Sequence, residues 1–236
     1  MIYNVAIIGY GYWGTKLARN FHNSNNFSIK YIVDTSKKNL VKAKTDFPLS
    51  KFLSNYRLIN NQKIDLIVIS TPTKTHFKLC NFFLNFTNVL VEKPISLKSD
   101  QVKKLDKIAK RNKKLLFVDY PFLFSGSINY IKKIIESKKF GNLKEIESFR
   151  EQAPVRNDAD VVWDLGVHDI SILKYLLNDD PKIIKSKKYK TIKTSKSDTA
   201  YINLQYKKNI KVFIKNSWLS PLKIRLIKLK FDNAII

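Results

Sequence analysis

The chain has 236 residues, of which 44% are hydrophobic and 12% aromatic, which is enough for a packed core within one or two domains. No uncharged apolar run approaches the roughly 18 residues that a membrane span needs. The start, MIYNVAIIGYG, lacks the basic region and the cleavage site of a secretory signal. The single cysteine, Cys80, excludes an intramolecular disulfide. We therefore expect a cytoplasmic protein with no membrane partner.

The net charge of +25 raises the question of nucleic-acid binding. Only six of the basic residues are arginines, although the bidentate guanidinium is the group that specific phosphate and base recognition favours. The lysines are also spread along the whole chain. The composition therefore predicts no nucleic-acid partner, and an anionic substrate is the milder inference from the same charge.

Residues 1–120 alternate between apolar strands and helical segments. This alternation predicts a doubly wound parallel sheet of the Rossmann type. The predicted strands are 4–9, 27–34, 63–71, 88–94 and 115–120, and the predicted helices are 13–21, 37–46, 74–85 and 99–112.

Residues 121–236 follow a different pattern, with two helices and several alternating strands. They predict an α+β domain with an open, mostly antiparallel sheet, one face of which is covered. Helices are expected at 127–138, with Gly141 as its C-cap, and at 163–177; strands are expected at 142–152, 182–192, 199–206, 209–219 and 223–231. The final FDNAII stops within a strand or hairpin, so we expect an incomplete domain with an exposed sheet edge.

The first motif is Gly9-Tyr10-Gly11-Tyr12-Trp13-Gly14, which directly follows a predicted strand and opens a helix. This arrangement is typical of a turn that holds the pyrophosphate of a dinucleotide against a helix N-terminus. Asp34 ends the next strand, 20 residues after Gly14, where a carboxylate can bond ribose hydroxyls. Its charge favours NAD over NADP, although Lys37 and Lys38 would weaken the repulsion of a 2′-phosphate, so NADP is not excluded.

The second motif, Ser70 to His76, lies at the end of a predicted parallel strand, where open α/β sheets bind ligands. Its hydroxyl and backbone groups can line a nicotinamide ribose. Alternatively, Thr73 or Thr75 caps the following helix. His76 fits either a ligand contact or helix packing.

The third motif, Glu92-Lys93-Pro94, ends the next strand. Lys93 can polarise a substrate oxygen or pass a proton there, or it can be one more solvated lysine. The fourth motif runs from Trp163 to Asp169. On an α-helix Asp164 and His168 share one face, and histidine accepts protons near neutral pH. The alternatives are a metal site, for which no third ligand has convincing spacing, and a capped helix start with a partly buried histidine.

Taken in order, GYGYWG, STPTKTH, VEKP and WDLGVHDISILKYLL resemble the Gfo/Idh/MocA family of oxidoreductases. The resemblance implies a Rossmann domain (1–120) followed by a substrate and oligomerisation domain (121–236). It also implies that Lys93, Asp164 and His168 are catalytic and contact the substrate. Because no third ligand accompanies Asp164 and His168, we expect no metal. The cofactor-binding residues that we expect are Gly9, Tyr10, Gly11, Tyr12, Trp13, Gly14, Asp34, Thr71, Pro72, His76 and Glu92.

The stretch Arg156-Asn157-Asp158, followed by WDLGVHDIS, is similar to family members of surface-polysaccharide and sugar-nucleotide pathways. Arg156 would meet a substrate phosphate or carboxylate, or form a salt bridge at the rim. The predicted function is NAD(P)-dependent hydride transfer between nicotinamide and a secondary alcohol or ketone of a sugar or nucleotide-sugar. The alternative is a non-catalytic dinucleotide-binding protein or an inactive truncated homologue. A complete second sheet would form a homo-oligomer.

Overall fold

The structure, a computed structural model, describes residues 1–156, 159–192 and 196–236. Their contacts divide the chain into two compact units, Met1–Asp119 and Tyr120–Ile236. Among the described residues no helix combines the length and the apolar character needed to cross a bilayer.

The first unit is built on a six-stranded, all-parallel sheet with the order β3-β2-β1-β4-β5-β6. This is the strand order of a Rossmann fold, in which ligands bind where the order reverses, between β1 and β4. The strands are β1 (Tyr3–Ile8), β2 (Phe27–Val33), β3 (Lys51–Leu53), β4 (Leu66–Ile69), β5 (Asn88–Glu92) and β6 (Leu116–Asp119). The helices are α1 (Tyr12–His22), α2 (Lys37–Asp46), α3 (Thr73–Phe83) and α4 (Ser99–Arg111).

Strand β1 shows why the central strands of this unit are apolar throughout. Val5 and Ile7 pack into one buried cluster, whereas Ala6 and Ile8 pack into another on the opposite face. Because helices cover both faces, no position in this stretch of the strand is free for a polar side chain. The predicted parallel doubly wound sheet is confirmed.

Strand β3 is absent from the sequence prediction. It has only three residues, which pair with Tyr31–Val33 at the edge of the sheet, and such a run is too short for a periodic pattern. Strand β4 also begins later than predicted, at Leu66 instead of residue 63, because residues 61–63 form a 3₁₀ turn.

The second unit contains a five-stranded mixed sheet with the order β11-β7-β10-β9-β8. Only β7 and β10 are parallel, so the predicted mostly antiparallel sheet is confirmed. The strands are β7 (Leu143–Glu151), β8 (Ile183–Tyr189), β9 (Thr199–Gln205), β10 (Lys211–Ser217) and β11 (Ile224–Phe231). The helices are α5 (Gly126–Ser137) and α6 (Val167–Leu177), and a π-helical segment (Val162–Gly166) leads directly into α6.

The two faces of this sheet differ in chemistry. On one face Ile146, Ile214 and Leu229 pack with residues of α5 and α6 in a single core. On the other, four aromatic rings follow one another from strand to strand, with centroids 6.0, 6.1 and 5.8 Å apart. These rings belong to Phe149, Phe213, Tyr201 and Tyr189. Helices thus cover one face, and we call the other the open face.

Three details of the second unit differ from the prediction or refine it. Helix α5 ends at Ser137, and Lys138, with a φ of 53°, is the left-handed C-cap in place of the predicted Gly141. Gly141 instead has a φ of +83° in the turn before β7, where a Cβ would lie 2.7 Å from the Cβ of Asp232. The final residues turn back on β11, because Leu229 and Ile236 exchange two backbone hydrogen bonds of 2.8 and 2.9 Å.

Candidate functional site

The glycine-rich turn brings the start of α1 so close to the end of β1 that a side chain at Gly14 would not fit between them. Gly9 has a φ of +93°, and a Cβ on Gly14 would lie 1.9 Å from the carbonyl oxygen of Gly9. The first turn of α1 therefore packs directly on the end of β1. Gly11 is the N-cap of α1, and no side-chain hydrogen bond caps this end of the helix.

Gly11 differs from its two neighbours, because a Cβ there would meet no atom within 4 Å. Packing within the protein therefore does not require glycine at this position. The space in front of α1 is open, and the helix N-terminus presents N–H groups and the positive end of its dipole to it. This arrangement fits a diphosphate held against the backbone.

The aromatic residues of the turn fall into two classes. Tyr10 is only 1% exposed and its hydroxyl donates to Oδ2 of Asp46 over 2.7 Å, so only its backbone can face a ligand. Tyr12 and Trp13 are exposed, and the amine of Lys16 lies 4.0 and 4.6 Å from their ring centroids. The rings of Tyr12 and Trp13 are thus exposed to solvent, whereas that of Tyr10 belongs to the core.

Asp34 lies immediately after β2 and binds the glycine-rich turn. Its carboxylate accepts from the backbone N–H of Tyr10 (2.7 Å) and of Ser36 (2.8 Å), and from the side-chain amide of Asn39 (3.0 Å). A carboxylate has about four acceptor sites, so one remains, on Oδ1. This remaining site fits one ribose hydroxyl. Lys37 and Lys38 form the start of α2 beside it.

His76 lies in α3 and joins two loops of the first unit. Its ring nitrogens lie 2.6 Å from the carbonyl oxygen of Thr71 and 2.9 Å from that of Pro94. Burial lowers the pKa of His76, although both carbonyl groups act in the opposite direction. The side chain is 1% exposed, so this histidine bridges the end of β4 and the Glu-Lys-Pro loop instead of facing solvent.

The hydroxyl groups around the start of α3 also serve local structure. The N-cap of α3 is Pro72, so neither Thr73 nor Thr75 has the capping role considered above. The hydroxyl of Thr75 donates to the carbonyl oxygen of Pro72 (2.7 Å) and lies 2.6 Å from that of Thr71. Ser70 donates to the carbonyl oxygen of Gly9 (2.8 Å), which joins the ends of β4 and β1.

Glu92 ends β5 and pairs with Asp119 at the end of β6, and Lys93 follows directly. Glu92 is buried, and its Oε2 accepts from the backbone N–H of Lys93 over 3.1 Å. Burial, together with the smaller effect of the Asp119 charge, raises the pKa of Glu92 to about 7, and the charge of Lys93 opposes this rise. Burial also raises the pKa of Asp119, a residue that the sequence analysis missed. Lys93, which is half-buried, thus follows a carboxylate that titrates near neutrality.

In the second unit, Asp164 lies within the π-helical segment, so the α-helical spacing assumed for Asp164 and His168 is wrong. Asp160 accepts from the backbone N–H groups of Val162 and Trp163 and caps this segment. Oδ2 of Asp164 accepts from the indole N–H of Trp218 over 3.1 Å. Trp218 was not among the site residues predicted from the sequence.

Arg156 lies on the other side of this carboxylate, with Nη1 3.4 Å from Oδ1 of Asp164 and a half-exposed side chain. The salt-bridge interpretation of Arg156 therefore has a contact to support it. Asn157 and Asp158, which entered the sequence comparison, lie outside the described residues. Across residues 1–156, 159–192 and 196–236, no group of three or more histidines, cysteines or carboxylates is arranged to hold a metal ion.

His168 is largely buried, and its ring stands edge-on to that of Phe122 with centroids 5.0 Å apart. The next residue, Asp169, anchors α6 to the sheet. It accepts from Ser148 (2.9 Å), from Nε of Arg150 (3.0 Å) and from Asn216 (2.7 Å). Burial raises the pKa of Asp169, and these three donors act against the rise.

Alanine at Gly11 and alanine at Gly14 should have different effects. Gly11→Ala introduces no clash and should unfold at the wild-type temperature. Its methyl group enters the open space, so it should weaken NADH binding by about tenfold or more. Gly14→Ala meets the Gly9 carbonyl group and should lower the free energy of unfolding by about 2–4 kcal/mol. Thermal unfolding and an NADH fluorescence titration measure both effects. Wild-type NADH affinity in Gly11→Ala contradicts the assignment.

Replacing Glu92 by glutamine should make stability less dependent on pH. The native protein holds the Glu92 proton up to about pH 7, whereas the unfolded chain loses it near 4.5. The native state therefore binds more protons in this range and loses stability as the pH rises through it. In urea unfolding, we expect the free energy of unfolding of Glu92→Gln to be higher than that of the wild type by about 2–3 kcal/mol at pH 8. At pH 4.5 the two free energies should differ little. A stability difference that is the same at both pH values contradicts this account.

Two family models match the chain. One, described as the oxidoreductase family with an NAD-binding Rossmann fold, matches residues 3–120. The other, the Gfo/Idh/MocA C-terminal domain, matches residues 128–227. Together they include most of both units.

Among curated proteins, the chain is similar to myo-inositol 2-dehydrogenase of Thermotoga maritima, with 22% identity over 226 residues, covering 90% of this chain and 68% of the relative. It is also similar to inositol 2-dehydrogenase of Rhizobium meliloti, with 28% identity over 125 residues, covering 50% of this chain and 38% of the relative. The chain thus spans only part of the length of these relatives.

Solved structures share the fold over the whole chain. An NAD-binding protein from Listeria innocua superposes with a TM-score of 0.92 at 21% identity, covering 100% of this chain and 72% of that one. An oxidoreductase from Agrobacterium radiobacter, crystallised with NAD+, L-tartaric acid and magnesium, superposes with a TM-score of 0.91 at 17% identity, covering 100% and 73%. The two family models show that the chain belongs to the Gfo/Idh/MocA family of oxidoreductases and contains its NAD-binding Rossmann domain.

Proposed function

We propose that this protein is an NAD-dependent oxidoreductase that transfers hydride between nicotinamide and a secondary alcohol or ketone of a sugar-like substrate. One observation carries the proposal. The glycine-rich turn, Asp34, Thr71 and Lys93 follow the C-terminal ends of β1, β2, β4 and β5, which are neighbours in a single parallel sheet. Open α/β sheets bind their ligands outside these strand ends.

The first unit would hold the cofactor through its backbone. Gly9, Gly11, Gly14 and the first N–H groups of α1 would bind the pyrophosphate, with Tyr12 and Trp13 beside it. The remaining acceptor site of Asp34 would bind the adenosine ribose, which favours NAD over NADP. Thr71, Pro72 and Glu92 would lie on the nicotinamide side, with His76 holding Thr71 and Pro94 in place. Bound NAD supplies the hydride acceptor or donor.

The chemistry on the substrate would use residues of both units. In the oxidation direction, bound NAD would supply the acceptor for the hydride released as the substrate C–H bond breaks. The hydroxyl proton passes to His168, and the ammonium group of Lys93 donates a hydrogen bond to the oxygen that becomes the carbonyl group. Asp164, held by Trp218, would bind a neighbouring hydroxyl or orient His168.

The proposed substrate is described by a broad class and a narrower one. The curated relatives named inositol dehydrogenase support a polyhydroxylated ring. A nucleotide-linked sugar is the finer proposal, and it rests on the resemblance around Arg156 and the motif that contains Asp164 and His168. Arg156 would meet a phosphate or carboxylate of that substrate by exchanging its contact with Asp164.

Lys93→Met should separate an enzyme from a protein that only binds dinucleotides. NADH affinity should change little, whereas turnover should fall by about 100-fold or more, because methionine cannot donate to the substrate oxygen. His168→Asn should behave in the same way. Lys98→Met removes an exposed lysine from the same loop and serves as the control. NADH fluorescence gives the affinity, and absorbance at the nicotinamide band gives turnover with a panel of inositols, sugars and nucleotide-sugars.

Two outcomes of this experiment contradict the proposal. Unchanged turnover in Lys93→Met would remove this lysine from the reaction. NADH binding by the wild type with no turnover of any panel member, in either direction, would favour the alternative of a non-catalytic dinucleotide-binding protein.

We also propose that a second copy of the chain covers the open face of the second sheet. Leu226 is about half exposed there, and Phe149 and Phe213 in the ring series are only partly buried. Large apolar groups on one free sheet face favour association.

Phe213→Lys should convert the oligomer to a monomer in light-scattering chromatography, because each copy would bury an unpaired charge. Phe213→Leu should remain oligomeric; a wild-type protein that is monomeric at micromolar concentrations contradicts this proposal.

A further inference from the structure

Two arginines lie directly opposite each other on the helix-covered face of the second sheet. The antiparallel register of β7 and β11 pairs Arg150 with Arg225. Both guanidinium groups also lie over the same aromatic ring, that of Phe122, with carbon-to-centroid distances of 4.5 and 5.4 Å. Two positive charges therefore share one small region of the second unit.

The carboxylates of the region do not balance these charges. Asp169 pairs with Nε of Arg150, and the side chains of both residues are almost completely buried. No described carboxylate forms an ion pair with Arg225. Burial lowers the pKa of Arg225, and the charge of Arg150 lowers it further. Like charges that face each other across two strands are destabilising, so packing alone gives no reason for this pair.

Arg150 also retains an unused donor. Its Nη1 is buried and, within the part of the chain that the structure describes, has no hydrogen-bond partner. Buried donors are nearly always satisfied in folded proteins, and one that is not needs a specific reason. Arg225, in contrast, is accessible to solvent and so to a ligand. The buried guanidinium of Arg150, which has a free N–H group, and the exposed guanidinium of Arg225 together suit an anion.

The same aromatic ring connects this pair to His168. Phe122 contacts the imidazole edge-on at 5.0 Å and also lies beneath both guanidinium groups. All of these residues belong to the second unit. An anion bound by the arginines would therefore be separated from His168, the proposed proton acceptor, by the width of the Phe122 ring.

We propose that Arg225, supported by Arg150, binds an anionic group of the substrate, so that the substrate is an acidic sugar or polyol carrying a carboxylate or phosphate. This inference rests on the proposed function, because it assumes that His168 acts on the same molecule. The guanidinium fork recognises both anions in a bidentate manner, which a neutral polyol cannot match.

Binding to the NADH-saturated protein tests the inference without any need for turnover. The probes are D-glucose, D-glucuronate and D-glucose 6-phosphate, which share a ring and differ in the group at one end. We expect at least one anion to bind about tenfold or more tightly than glucose, as measured by calorimetry. Whichever anion is preferred identifies the carboxylate or the phosphate class. Equal affinity for all three probes overturns the inference.

Matched variants assign the preference to Arg225. Arg225→Met should abolish the preference for the anion and leave glucose binding unchanged, and Arg225→Lys should restore part of it. Lys230→Met removes the same charge from the same strand, but from the open face, where Lys230 is paired with Glu145 in register. It should keep the wild-type preference. Equal losses in Arg225→Met and Lys230→Met would show a general effect of net charge and overturn the assignment.

Histidine NMR locates the anion. The chain has three histidines, His22, His76 and His168. Binding of the preferred anion should shift the ring signals of His168 and raise its pKa, with no change at His22 or His76. Anion binding with no response at His168 overturns the proposed location. NADH affinity is measured separately, so an anion that binds at His168 without turnover would count against the proposed reaction and leave the anion site standing.

Discussion

The close contact between Gly14 and Gly9 is the constraint on which the rest of the first unit depends. The missing Cβ of Gly14 lets α1 lie against the end of β1, which points the helix N–H groups at the space beside Gly11. Asp34 then fixes the turn from β2, and Ser70 fixes it from β4. The backbone is thereby organised before any ligand arrives, so little ordering of the protein remains to oppose binding.

A buried carboxylate organises the second unit in a comparable way. Asp169 accepts from a hydroxyl, a guanidinium and an amide on two strands, and so holds the start of α6 against the sheet. His168 precedes it directly, so its position follows from this network. Gly166 allows the close approach, since a Cβ there would lie 2.7 Å from Oδ1 of Asn216. The local geometry of both units thus depends on small residues next to polar groups.

Local patterns predicted most of the fold, because glycine spacing and hydrophobic periodicity act over short stretches of chain. They could not find β3, whose three residues are ordered only by pairing with β2. They assigned regular α-helical geometry to Asp164, which lies in a π-helical segment. The bridge made by His76 and the pairing of Arg150 with Arg225 join residues that are distant in sequence, so a single chain without aligned relatives contains no local signal for either.

Hydrogen exchange with and without NADH tests the central claim most directly, because it reports on individual backbone amides. The account predicts that NADH slows exchange at residues 9–16, and at residues 70, 71 and 73 after β4, while the strands of the second sheet change little. Tight NADH binding that leaves the amides of the glycine-rich turn unprotected would contradict the claim that this turn holds the cofactor.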